Sequence, residues 1–295
     1  MTLRDGWELT KETFSEWIDD KASRLAAALA YYTLFSLAPL LIIAIGIAGL
    51  VFGEDAARGQ VMVQLRGLIG ERGAAFLQDL LVASRGTSHG IAATVIGLVV
   101  LLFGAAGVFG QLQDALNTIW EVKSRPGRGW RGILQDRFLS FAMVLGTGFL
   151  LLVSLTASAA FAAIGTYLSG VLPIPAAALE AVNFGVSFAL TAFLFALIFK
   201  IVPDAKIAWR DVWIGAGLTA FLFSIGKLLI GIYLGKSSVA STFGAAASPV
   251  VLMVWIYYSA QILFLGAEFT QVYATRYGSR IRPARGAILV TGQDD

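Results

Sequence analysis

The sequence predicts an all-α integral membrane protein with six transmembrane helices and short amphipathic helices at the membrane surface. Two observations predict this fold class. Only 14% of the 295 residues are charged, whereas a soluble globular domain has about 25%. Six apolar stretches also reach or exceed the roughly 20 residues that a helix needs to cross a bilayer. These stretches are residues 25–51, 91–113, 138–166, 176–199, 209–234 and 247–275.

The placement of basic residues predicts the orientation of these spans. Sixteen of the 22 Lys and Arg residues lie before the first span, between the second and third, between the fourth and fifth, and after the sixth. Five lie in connections on the opposite side. Because basic residues are retained in the cytoplasm, we expect both chain termini to be cytoplasmic.

The segments outside the spans divide the chain further. We expect a cytoplasmic N-terminal segment (1–24), a membrane domain (25–276) and a mobile cytoplasmic tail (277–295). Apolar residues recur at near-helical spacing over Trp7–Asp20. That pattern is typical of an amphipathic helix on the membrane surface, and it also fits a solvated helix. In the outer connection, residues 52–90, the pattern predicts two short amphipathic helices separated near Gly70–Gly73.

Polar side chains concentrate at the cytoplasmic ends of spans one, two, three and six. Ionisable groups inside a bilayer are costly, so they usually face a cavity or a partner. These groups could line a water-accessible inward cavity or lock the bundle through salt bridges, and the sequence leaves both roles open. The candidate substrate or ion pathway comprises Arg24, Tyr31, Tyr32, Gln111, Asp114, Asn117, Arg137, Lys227 and Glu268.

Within that set the charged residues have distinct expected roles. Asp114 and Glu268 are the acids that we expect to take protons or bind cations. Arg24 and Arg137 would be their partners, or would contact an anionic headgroup. Lys227 belongs to the outer half. Its depth does not favour a direct salt bridge with Glu268, and its ammonium group can instead extend toward the interface.

Two prolines mark irregular backbone in the spans. Pro39 lies inside span one, and Pro249 lies near the outer start of span six. A proline inside a helix removes a backbone hydrogen bond and kinks the helix, and such kinks are tolerated where they line a cavity. Both prolines are candidate hinges or gates, and a static kink explains them equally well.

Three segments carry a resemblance to a known family. They are "AAALAYYTLFSLAPLLIIAIG" in span one, "FGQLQDALNTIWEVK" ending span two, and "STFGAAASPVVLMVWIYYSAQILFLGAEFTQVYA" in span six. Over about Trp7 to Arg276 the chain resembles the YihY/BrkB family of bacterial inner-membrane proteins. The resemblance implies a six-helix inner-membrane bundle with cytoplasmic termini and links to virulence and to transport. A ribonuclease label has also been attached to the family.

The residue inventory argues against enzymatic chemistry. The chain has no cysteine and one histidine, His89, and its acidic residues show no metal-ligand spacing. The sequence therefore does not offer the clustered carboxylates or paired histidines that RNA hydrolysis usually requires. We therefore expect no catalytic residues, metal, cofactor or nucleic acid. Membrane lipids are the expected partners, with a homodimer as a further option.

The leading functional hypothesis is an inner-membrane transporter or flippase-like protein for a small ion, solute or lipid. The alternative is a non-transporting scaffold or envelope-biogenesis partner in which segment 54–85 binds a partner or lipid.

Overall fold

The computed structural model describes residues 3–85, 107–124, 176–236, 247–284 and 286–290. Residues 91–106 of the second predicted span, the whole span 138–166 and Arg137 lie outside them. The helices are α1 (Leu3–Asp19), α2 (Ala22–Phe52), α3 (Glu54–Arg85), α4 (described over 107–119), α5 (Ala176–Ile201), α6 (Trp209–Lys236) and α7 (Ala247–Arg276). The strands are β1 (Val122–Ser124), β2 (Ala205–Lys206), β3 (Arg282–Pro283) and β4 (Ala287–Leu289).

Four predicted spans coincide with long helices. Helices α2, α5, α6 and α7 begin and end within three residues of the predicted bounds. Three of them contain stretches long and apolar enough to cross a bilayer, namely Phe184–Ile201, Trp209–Ile230 and Ser248–Arg276. The described part of the chain is thus mostly helical, as expected for a helical membrane protein, and the count of six spans stays a prediction.

Helix α3 breaks at the predicted place. Gly70 adopts φ 76° and ψ 173° inside α3, a conformation that only glycine enters at little steric cost. The segment therefore consists of two helices, as the glycine-containing gap predicted. It packs on α2 through a small cluster formed by Ile45, Met62 and Leu81.

Helices α6 and α7 cross at a reciprocal pair of glycine–threonine contacts. A Cβ atom on Gly215 would overlap the Thr270 hydroxyl, and one on Gly266 would overlap the Thr219 hydroxyl. Each threonine turns its hydroxyl back onto its own helix: Thr219 Oγ1 donates to Gly215 O at 2.7 Å and Thr270 Oγ1 donates to Gly266 O at 2.6 Å. Small residues that let two backbones approach closely are the usual interface of membrane helices.

The largest hydrophobic core lies at the predicted cytoplasmic end of the bundle. It joins the start of α2, helix α4, the end of α5, the start of α6 and the end of α7. Trp120 is buried there, edge-on to Phe199 with 6.3 Å between ring centroids. This dense end of the molecule positions the site described below.

The C-terminal tail differs from the mobile segment that the sequence predicted. Strand β4 pairs antiparallel with β1, and β3 pairs antiparallel with β2. Asp211 of α6 also accepts hydrogen bonds from the Ser279 backbone N–H (2.9 Å) and hydroxyl (2.8 Å). Strands of two or three residues leave no periodic pattern in a sequence, which explains why this anchoring was not predicted.

Candidate functional site

Glu268 is a buried acid inside the last span. It lies on α7 between Gly266 and Thr270, the two residues that contact α6. The residue is 1% exposed, and neither carboxylate oxygen has a hydrogen-bond partner within the described segments. Burying a polar group without a hydrogen-bond donor costs free energy, so the neighbouring groups must account for how the Glu268 carboxyl is tolerated there.

Those groups are other carboxyls. Asp20 lies in the turn after α1, within hydrogen-bonding reach of Glu268. Glu16 on α1 and Glu121 after α4 are close enough to interact electrostatically with both acids. We call Glu16, Asp20, Glu121 and Glu268 the acidic cluster. Like charges held this close favour protonation of one member, so the cluster can hold a proton.

The members outside the membrane span have raised pKa values. Burial raises the pKa of Asp20 to about 6, and the negative charges of Glu16 and Glu121 add to the effect. Burial also raises the pKa of Glu16, with further contributions from Glu121 and Asp19. Carboxyls of this kind exchange protons at higher pH than exposed ones do.

Helix α1 closes the cluster by packing alongside the end of α7. Arg276 at the end of α7 pairs with Glu12 (Nε to Oε2, 2.8 Å) and Glu8 (Nη1 to Oε2, 3.6 Å). Leu9 and Thr13 are buried in the same contact region of α1. Lys21 then turns the chain into α2 with a left-handed backbone (φ 54°). The acids are therefore covered by a helix that is held by surface ion pairs.

The other predicted acid, Asp114, belongs to a different group. One turn further along α4, Asn117 Nδ2 donates to Asp204 Oδ2 (3.2 Å), and the Asp204 N–H donates to Asn117 Oδ1 (2.8 Å). Partial burial and the charge of Asp204 raise the pKa of Asp114. Asn117 thus fastens α4 to the loop after α5, and Asp114 titrates beside that contact rather than in the acidic cluster.

The remaining predicted pathway residues are spread over the surface. Arg24 is exposed and is not a hydrogen-bond partner of the Glu268 carboxylate. Gln111 is half-buried. The exposed members of the set are Arg24, Tyr31, Tyr32, Asp114 and Lys227. Of the predicted residues that the structure describes, Glu268 alone therefore belongs to the acidic cluster.

Lys227 and the two prolines lie on α6, α2 and α7. Lys227 lies beside a cleft with Trp255 and Tyr258 that leaves no room for a water molecule. Helix α2 runs through Pro39 from Ala22 to Phe52. Pro249 is half-buried in the first turn of α7, where a proline removes no intrahelical hydrogen bond.

Sequence reasoning missed Glu16, Asp20 and Glu121. They lie outside the predicted spans, where carboxylates are common. Neither their residue type nor their depth in the membrane therefore singled them out. Within the described ranges, no three His, Cys, Asp or Glu residues are arranged to hold a metal ion. The available signal was the group of three acids, Glu16, Asp19 and Asp20, shortly before the first span.

Comparison with known proteins identifies the family. The family model described as "Virulence factor BrkB" matches residues 13–287. A "UPF0761 membrane protein" of Teredinibacter turnerae is 30% identical over 96% of this chain and 64% of its own length. One of Pseudomonas paraeruginosa is 28% identical over 90% and 62%, and one of Chromobacterium violaceum is 29% identical over 84% and 57%.

The chain thus spans less than two thirds of the length of these relatives. No solved structure matches it. The match of the family model covers nearly all of the sequence, including all four residues of the acidic cluster. The chain therefore belongs to the BrkB family of membrane proteins.

Proposed function

We propose that this chain is a proton- or cation-coupled transporter or flippase-like protein of the bacterial inner membrane, with cytoplasmic termini and no enzymatic activity. The observation that carries the proposal is Glu268, a solvent-shielded acid in a membrane span whose ionisable neighbours, among the described residues, are other carboxyls. Ionisable residues in spans are expensive and mark ion pathways or proton relays by default. The excess of basic residues on one side of the spans supports the orientation.

The chemistry of the acidic cluster supports coupling. Asp20 and Glu268 lie close together, and no base of the described segments pairs with either, so the two carboxyls are stable when one proton lies between them. Removing that proton leaves two negative charges in a poorly solvated place. A coupling cation, or a cationic group of the cargo, can then take the place of the proton. Coupled carboxyls of this kind exchange protons as a pair.

The arrangement of α1 supports an occluded state. Glu268 is 1% exposed, with Asp20 close to it and helix α1 packed along α7. The cover is fastened by the Arg276 ion pairs with Glu8 and Glu12, and exposed pairs are worth at most about 1 kcal/mol each. Movement of α1 about the turn at Lys21 would open the cluster to the cytoplasm. Carriers require such a switch between closed and open states.

Charge movement on a pH jump tests the proposal without knowledge of the cargo. The full chain is reconstituted and adsorbed on a solid-supported membrane, and the transient current is recorded when the pH is stepped. We expect a current from the native chain and a strongly reduced one from Glu268→Gln. Glu71→Gln, which alters an exposed acid of α3, is the matched control and should keep the native current. A native-sized current from Glu268→Gln would refute the site.

A non-transporting scaffold is the second candidate, and the α3 hairpin favours it. A cleft of about 310 Å³ lies between its two helices, lined by Arg58, Met62, Arg66 and Leu81 among others. Arg58 and Arg66 pair with the exposed acids Glu54 and Glu71. A partner or lipid with an anionic group could replace these weak surface pairs. This candidate predicts no proton-dependent current from the native chain, so the same pH-jump experiment separates the two functions.

A further inference from the structure

Helix α1 has a second apolar face, which points away from the bundle. Its inner face buries Leu9 and Thr13. Its outer face carries Trp7, Phe14 and Ile18, which are 72%, 50% and 63% exposed. Seven- and four-residue separations bring these three side chains onto one stripe of a helix with 3.6 residues per turn. We call this stripe the outer face of α1.

Charge is sorted between the two faces. Lys11 lies in the outer face, and Arg4, Lys21 and Arg24 lie near its ends, all of them exposed. The acids are on the other side of the helix. Glu8 and Glu12 pair with Arg276, and Glu16 belongs to the acidic cluster. Arg4 also pairs with Glu8 at 3.6 Å, but both side chains are well exposed, so the pair is weak. The outer face thus combines aromatic and aliphatic groups with cations.

The position of α1 brings the outer face to the membrane boundary. The candidate span of α7 ends at Arg276, the residue that Glu8 and Glu12 contact. Asp20 reaches Glu268, which lies about two turns earlier on α7. Helix α1 therefore runs beside the last roughly 12 Å of the span, where the hydrocarbon core gives way to lipid headgroups.

We propose that the outer face of α1 binds the anionic headgroup layer of the membrane in which the bundle lies. Trp, Phe and Ile side chains enter the boundary between headgroups and acyl chains, and the basic residues bind the lipid phosphates. Each Lys or Arg near an anionic surface contributes about 1 kcal/mol. This binding stands apart from the proposed transport, because it uses the opposite side of α1 from the acidic cluster.

Single cysteines test this proposal cleanly, because the chain contains none. Phe14→Cys and Ile18→Cys place a fluorophore on the outer face. Ser15→Cys, exposed one position from Phe14, is the matched control on the polar side. The full chain is reconstituted into phosphatidylcholine vesicles with or without phosphatidylglycerol. Quenching by a lipid-borne nitroxide is then compared with quenching by aqueous acrylamide.

We expect lipid-borne quenching several-fold stronger at positions 14 and 18 than at 15, and stronger in vesicles with phosphatidylglycerol. A Lys11→Gln substitution in the same labelled chains should reduce that dependence on anionic lipid. Equal quenching at all three positions would overturn the proposal. Equal quenching in the two lipid mixtures would overturn its selectivity for anionic headgroups. Label-to-label contact between copies without lipid quenching would assign the outer face to a second copy instead.

Discussion

Helix α7 makes two contacts of opposite character. Its crossing with α6 is uncharged and tight, built from Gly215, Gly266 and the two threonines that cover them. Its contact with α1 is charged, with the Arg276 ion pairs at one end and the Asp20–Glu268 carboxyl pair at the other. Steric packing does not change with pH, whereas facing carboxyls do. The contact of α7 with α6 is therefore insensitive to pH, and we call it the uncharged joint. The contact of α7 with α1 responds to protonation, and we call it the charged joint.

The largest expected effect comes from breaking the uncharged joint. A Gly215→Ala substitution forces its methyl group into Thr270, and overpacking of this kind costs about 1–3 kcal/mol. Denaturant unfolding of the full chain in detergent micelles should show the loss as a lower midpoint. Gly217→Ala is the matched control on the same helix, because its Cβ would meet nothing within 4 Å.

A second substitution shows whether that loss comes from the crossing itself. Thr270→Ala removes Oγ1 and Cγ2, two of the three atoms that the new methyl group meets, so the Gly215→Ala/Thr270→Ala chain should recover part of the lost stability. If Gly215→Ala is as stable as Gly217→Ala, the close approach of α6 and α7 is wrong.

An intermediate effect is expected at the charged joint, and it depends on pH. Since the folded-state pKa of Asp20 is raised from 3.8 to about 6, its contribution to stability is fully present below about pH 4 and is lost as the pH rises through 6. Asp20→Asn should therefore stabilise the chain at pH 8, by about 1–2 kcal/mol after screening. At pH 4 the free energy of unfolding of the Asp20→Asn chain should equal that of the native chain.

The measurement is unfolding in detergent at a series of pH values. Asp79→Asn, which alters an exposed acid of α3 far from the cluster, should leave the pH dependence unchanged. A pH profile of Asp20→Asn that superimposes on the native one would remove Asp20 from the charged joint.

The smallest expected effect is at the surface ion pairs of the charged joint. Arg276→Gln removes both contacts to Glu8 and Glu12 and should cost less than about 1 kcal/mol, because both partners are partly exposed. Amide hydrogen exchange is the clearer readout of this substitution, because faster exchange in α1 would show that α1 is held less tightly over the acidic cluster. High salt should produce the same change in the native chain. Unaltered exchange in α1 would mean that other contacts hold it.

Hydropathy predicted the parts of the fold that the bilayer dictates. The bounds of α2 and α7 follow from the length of chain that hydrocarbon requires, and the break in α3 follows from Gly70 between two periodic stretches. Neither depends on what the helices pack against. The tight crossing at Gly215 and Gly266 depends on the partner helix, because the sequence does not show which of the many glycines in the spans meets another helix.

The candidate site was predictable only in part. A lone acid in a span is conspicuous, so Glu268 was found from sequence. Asp20 and Glu121 were not, because each lies in a polar turn where a carboxylate is ordinary, and they become unusual only when the fold brings them to Glu268. The reverse holds for Asp114. Asp114 was expected to take protons or bind cations together with Glu268 in one inward-facing set, but α4 places it beside Asp204 instead.

Infrared spectroscopy of the reconstituted full chain tests the central claim most directly, because a protonated carboxyl has its own absorption band. We expect the native chain at neutral pH to show such a band from the proton shared by Asp20 and Glu268. The band should disappear in Glu268→Gln and persist in Glu71→Gln. A native spectrum without that band, or a band unchanged by Glu268→Gln, would contradict the account.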